Sequence, residues 1–137
     1  MRVFLDANIL FSASFSESRL ADFLKGLQRH AELFTNAYAA AEAERNIAAK
    51  QPQRLAAYRE LAASLNMVPI RMFDPGVRLA EKDQPILCGA VVCGADFLLT
   101  GDKKDFGHLY GKTVHGVMVV SVAMLVEELI KRDILDG

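Results

Sequence analysis

Asp6, Glu42, Asp83 and Asp102 are four acids scattered along a chain of 137 residues. Asp6 ends the apolar run Val3-Phe4-Leu5 and is followed almost at once by Ile9-Leu10-Phe11. A carboxylate flanked so closely by core residues costs free energy unless something satisfies it. The other three have ordinary readings when taken singly. Asp83 stands before Gln84-Pro85 and could cap a helix. Asp102 follows Gly101 and could be a turn residue, and Glu42 could be a solvated charge on an Ala-rich helix. Brought together, the four would repel one another and raise each other's pKa. A bound cation relieves that repulsion. Oxygen donors without His or Cys favour Mg²⁺ or Mn²⁺ over zinc. Such sites commonly hydrolyse phosphodiesters: one metal activates a water and another, roughly 3.5–4 Å away, steadies the leaving oxygen.

The elements that would position these acids can be read from short apolar runs. Val3–Leu5, Glu32–Thr35, Met67–Ile70, Phe97–Thr100 and Val117–Val120 read as five strands, with Pro69 confining the third to an end or an edge. Between them lie helical patterns. Leu20, Phe23, Leu24 and Leu27 are spaced three and four apart, with Ser18 or Ser16 as the cap. Ala37–Ala49 is rich in helix formers, and after Pro52 a second helix passes through Leu55, Tyr58, Leu61 and Leu65. Residues 71–82 read as a loop around the Pro75-Gly76 turn. A helix opens at Asp83, runs to about Cys93 and stops at Gly94. Ser121 caps the last helix, with Val122, Leu125, Val126, Leu129 and Ile130 on its inner face; that face could serve a dimer or simply cover the sheet. Alternating strands and helices, with the strands apolar throughout, predict a parallel sheet covered on both faces. In such sheets ligands sit beyond the carboxyl ends of the strands, where Asp6, Asp83 and Asp102 fall; Glu42 needs its helix to lean toward the first strand.

Composition narrows the class further. With 52% hydrophobic and 24% charged residues the chain can build a core, and its length suits a single domain over 1–137. The net charge of −1 is not the basic balance of a typical nucleic-acid binder, although carboxylates destined for cations distort that count. No apolar run reaches the roughly 18 residues of a membrane helix. The N-terminus lacks the apolar segment of a signal peptide, so a cytoplasmic location is expected. Cys88 and Cys93 are five apart and do not face each other on a helix, so both read as core hydrophobes rather than a disulfide. His30, His108 and His115 show no metal-ligand spacing.

Four stretches in order carry a family resemblance. Leu5-Asp6-Ala7-Asn8-Ile9-Leu10 resembles the opening Asp-x-Asn motif of PIN-domain nucleases. Ala40-Ala41-Glu42-Ala43-Glu44-Arg45-Asn46-Ile47 resembles their second acidic motif, and Asp83-Gln84-Pro85-Ile86-Leu87 the third. Gly94 to Asp102, with Asp105-Phe106 trailing, resembles the fourth. The resemblance spans Arg2 to about Leu129. It implies a three-layer α/β/α fold with a central, mostly parallel five-stranded sheet, and Mg²⁺- or Mn²⁺-dependent endoribonuclease activity. It assigns catalytic and metal-binding roles to Asp6, Glu42, Asp83 and Asp102, with Asp105 as an additional metal-binding acid. Asn8 and Thr100 would orient the ligands and a phosphate. Many such bacterial domains are toxins of toxin–antitoxin pairs and form homodimers, so the implied partners are RNA, an antitoxin protein and a second copy. Ala7 departs from the Thr or Ser common there, at a flanking position. Glu44 competes with Glu42, because residues two apart on a helix cannot face the same way.

Lys103 and Lys104 beside Asp102 could contact phosphate or form a solvated turn, and Arg45, Lys82 and Arg19 could extend such a rim. The chain has no Trp, and basic residues are not interleaved with aromatics, so a base-stacking platform is not evident. Three rival readings compete. A haloacid-dehalogenase-type phosphatase needs an acid two residues after its nucleophile, where this chain has Asn8. A non-catalytic PIN-like domain binding RNA or protein would be expected to lack some of the acids. A phosphoryl-accepting receiver domain would want acids clustered at its first strand and a Lys after its fifth, and neither is seen.

Overall fold

The computed structural model describes residues 1–15 and 17–135. The chain folds as an α/β domain around a mostly parallel sheet with the strand order β3-β2-β1-β4-β6-β5. In chain order the strands are β1 (Arg2–Leu5), β2 (Glu32–Asn36), β3 (Asn66–Val68), β4 (Phe97–Leu99), β5 (Thr113–Val114) and β6 (Val117–Val120). The helices are α1 (Ala7–Ala13), α2 (Arg19–Leu27), α3 (Ala37–Lys50), α4 (Leu55–Ala63), α5 (Gln84–Val92), α6 (Lys103–Phe106) and α7 (Val122–Lys131). Val3, Phe4, Leu5, Phe97, Leu98 and Leu99 are all fully buried. Successive strand residues point to opposite faces, so both faces of the sheet are covered at its centre. Helix α5 lies against β1, β2 and β4, α7 lies against β4 and β6, and α1 to α4 pack on one another.

Among the described residues the sheet has six strands, not the expected five. The addition is β5, which pairs antiparallel with β6. Its turn, His115-Gly116, holds both residues at positive φ, 49° and 85°. That combination matches the twist of a two-residue hairpin. Two residues are too few to display a period, so β5 left no pattern to read. Two short helices were also unexpected: α1, hidden inside the apolar run after Asp6, and α6, where Lys103 and Lys104 had a solvated turn as one of two readings. Helix α4 stops short of Leu65, and β3 ends before Pro69. Ser18 caps α2 by accepting from the Ala21 N–H; Ser16, the other candidate, lies outside the described residues. Ser121 caps α7 as expected, but Ile130 stands at the outer rim of that helix, 37% exposed. Cys88 and Cys93 are free and buried, and no described helix is long and apolar enough to cross a membrane.

The topology fixes where a ligand can sit. From β1 the chain winds outward through β2 to β3, then returns to place β4 on the other side of β1, parallel to it. Strand order therefore reverses between β1 and β4, and the crevice beyond their carboxyl ends is the position such sheets offer to ligands.

Candidate metal centre

Asp6 follows β1 and caps α1, and its backbone N–H donates to the Leu99 carbonyl at 3.1 Å, tying it to the end of β4. Its carboxylate accepts from the Ala7 N–H at 2.6 Å and from the Thr100 hydroxyl at 2.8 Å. Asn8 completes this frame. Its Oδ1 accepts from the Gly101 N–H at 2.9 Å, and its Nδ2 lies 3.4 Å from both Asp6 and Thr100. Thr100 also accepts from the Asp102 N–H at 3.1 Å. One hydroxyl thus links the acid after β1 to the acid after β4. Asp6 is only 4% exposed. That burial raises its pKa to about 6, against the lowering effect of the Thr100 and Ala7 hydrogen bonds and with further upward pressure from Glu42 and Asp102.

Asp83 sits at the start of α5 but makes no capping bond. It is 8% exposed, and its Oδ2 is buried without a hydrogen-bond partner. Buried carboxylate oxygens are normally satisfied, so the helix-cap reading fails to account for this side chain. Burial, then the charge of Asp105, lifts its pKa to about 7, with Lys82 opposing. Asp102 does cap α6, accepting from the Asp105 N–H at 3.0 Å. One oxygen from each of Asp83, Asp102 and Asp105 lies within 4.8 Å of the others. Lys82 Nζ contacts Asp105 Oδ2 at 2.9 Å, which holds the Asp105 carboxyl below its usual range.

Asp6, Glu42, Asp83 and Asp102 all line one open cleft of about 470 Å³, together with Asn8, Gly101 and a rim that includes Asn46, Lys50 and Lys82. Glu44 turns the other way and pairs with Arg59 of α4 at 3.2 Å. Helix α3 is aimed by Asn36, which caps it through the Ala39 N–H and reaches across to donate to the Pro85 carbonyl at 3.1 Å. The same residue therefore anchors the helices that carry Glu42 and follow Asp83. Lys103, Lys104, Arg45 and Arg19 are exposed and do not line the cleft. Neither Asn46, present only as a flanking residue of the second acidic motif, nor Lys50 carries a role in the sequence analysis. Their signal was present: Glu42, Asn46 and Lys50 fall four apart on α3 and so share one helix face.

No protein-family model matches the chain, and no curated protein does. Solved structures do. A chain of the crystal structure of VapBC2 from Rickettsia felis, bound to a DNA fragment from their promoter, superposes with a TM-score of 0.64 at 16% identity, covering 88% of this chain and 98% of that one. A chain of VapBC-1 from nontypeable Haemophilus influenzae superposes with a TM-score of 0.53 at 19% identity, covering 78% and 91%. The fold is PIN-like.

Proposed function

We propose that this PIN-like domain is a Mg²⁺- or Mn²⁺-dependent endoribonuclease, with Asp6, Glu42, Asp83 and Asp102 as its metal-binding and catalytic acids. The observation that carries the reading is Asp83: a buried carboxylate with an unpartnered oxygen, beside three more acids at the point where strand order reverses. The donors suit a hard divalent cation, since every candidate ligand is an oxygen. Such an ion, when bound, would supply Lewis acidity that activates water and neutralises phosphate charge. The chain's own residues do the positioning. The Thr100 hydroxyl and the Ala7 N–H fix the orientation of Asp6, and Asn8 ties the Gly101 turn to the same acid. Lys50 and Lys82 at the rim offer positive charge to the RNA backbone, with Lys103 and Lys104 as outer phosphate contacts.

The test is cleavage of labelled structured and unstructured RNAs by the Mn²⁺- or Mg²⁺-loaded protein, beside an Asp6→Asn variant. The wild type is expected to cut single-stranded RNA and the variant to lose at least tenfold, on the order of what disturbing a metal site costs. Equal cleavage by both proteins, or none under any metal condition, overturns the catalytic reading. Both fold neighbours are VapBC toxin–antitoxin complexes. The reading therefore extends to a toxin held in check by an antitoxin protein, acting in the cytoplasm and forming a homodimer. Co-purification with the product of an adjacent small gene tests the partnership.

A further inference from the structure

We propose that Lys82 occupies the place of a second cation, so that the cleft takes one divalent ion per chain rather than two. The inference rests on the metal-site reading above and concerns its stoichiometry. Much of the oxygen inventory is already committed. Asp6 is engaged by the Ala7 N–H and the Thr100 hydroxyl, and Asp102 Oδ1 by the Asp105 N–H. The partnerless oxygen is Asp83 Oδ2, in a side chain more than nine-tenths buried. With Asp6, Glu42 and Asp102, which line the same cleft, it would serve one ion completed by waters.

A second ion would need another carboxylate, and Asp105 is placed to give one, with an oxygen within 4.8 Å of Asp83 and Asp102. Lys82 holds that carboxylate at 2.9 Å. An ammonium and a hydrated cation compete for the same oxygen, and the ammonium is tethered. Its backbone is fixed as well: Tyr38 donates its hydroxyl to the Lys82 carbonyl at 2.7 Å. Asp105 thus acts as the anchor of a tethered cation at the cleft rim, the Lys82 side chain being 66% exposed, rather than as the additional metal ligand that the resemblance implies.

Equilibrium dialysis against millimolar Mn²⁺, with electron paramagnetic resonance of the bound ion, tests this. The wild type should hold one ion with the spectrum of an isolated Mn²⁺. Lys82→Met should hold two and show the spin coupling of a close pair. Asp105→Asn should hold one, as the wild type does. Two coupled ions in the wild type, one ion in Lys82→Met, or loss of the ion in Asp105→Asn would each overturn the inference while leaving a metal site in place. Absence of any bound ion in the wild type would remove the metal-site reading itself, and the inference with it.

Discussion

At the scale of single residues, Asp6 and Asp83 are held at a cost. Each has a pKa raised from 3.8, to about 6 and about 7 respectively, chiefly by burial. Below about pH 3 both carboxyls are protonated folded or unfolded and contribute nothing to pH dependence. Between pH 4 and 7 the folded chain keeps protons that the unfolded chain releases, so stability falls as pH rises through that window and levels off above it. The Tm of the metal-free protein should therefore drop on going from about pH 5 to about pH 8, by on the order of 10 °C. Differential scanning fluorimetry in EDTA measures it, and a Tm that rises over that range would contradict the assignment. Asp83→Asn removes one of the two buried charges. It should raise the metal-free Tm at pH 8 by a few degrees and leave it unchanged near pH 4, where the native side chain is already neutral. Millimolar Mn²⁺ should stabilise the wild type at pH 8, by binding the folded state, and should stabilise Asp83→Asn much less. Equal metal shifts in the two proteins would mean that Asp83 is not a ligand.

At the scale of elements, the site depends on how closely α5 approaches the sheet and on how residues 71–82 are stitched down. A Cβ at Gly89 of α5 would meet Asn36 Nδ2 at 2.7 Å and the Phe4 ring at 2.8 Å. Phe4 is fully buried and Asn36 anchors two helices, so neither can yield cheaply. Helix propensity alone would favour Gly→Ala by about 1 kcal/mol, but overpacking of about 1–3 kcal/mol outweighs it. Gly89→Ala should lower Tm, whereas Gly26→Ala in α2, with nothing within 4 Å of its added Cβ, should raise it slightly. If both shift Tm the same way in thermal melts, the close approach is not what selects glycine at position 89. The segment before α5 has little regular structure, yet side chains of several elements grip its carbonyls: Cys88 Sγ at Phe73, His115 at Pro75, His108 at Arg78, Gln84 at Leu79 and Tyr38 at Lys82. This explains what could be read from sequence and what could not. The strands β1, β2, β4 and β6 were legible because burial leaves short apolar runs, and Asp6 stood out as a charge interrupting such a run. Helices α2 and α7 were legible from their period and serine caps, α3 from its run of helix formers and α5 from Asp83 standing before Gln84-Pro85. The stitching of residues 71–82 and the hairpin strand β5 rest on single long-range hydrogen bonds or on two residues, and neither produces a period. Helix α1 was obscured because its apolar residues continue the run begun by β1, and Lys50 because its partners on α3 were each weighed alone.

At the scale of the whole molecule, charge constrains how RNA could be held. The net charge is −1, and the cations lining the cleft are Lys50 and Lys82. A protein that neutralises Z phosphates of a single strand has a slope of log Kobs against log salt of about −0.7Z. Lys50 and Lys82 with the outer Lys103 and Lys104 make four phosphate contacts and predict a slope of about −2.8, still shallower than a basic RNA-binding surface would give. The measurement needs RNA that is not cut, so it uses the wild type in Mg²⁺, with fluorescence anisotropy of a labelled, non-hydrolysable single strand across a salt series. Lys50→Ala should flatten the slope by about 0.7. Arg19→Ala, exposed outside the cleft, should leave it unchanged. A slope steeper than about −4 would mean that cations beyond these four dominate binding, Arg45 first among them. A slope insensitive to Lys50→Ala would take the face of α3 that carries Glu42, Asn46 and Lys50 out of the RNA path. Because metal bound to the acids also draws phosphate, the same titration in EDTA should weaken binding while preserving the Lys50 contribution to the slope. Only a rim cation acting on the RNA backbone independently of the metal gives that combination.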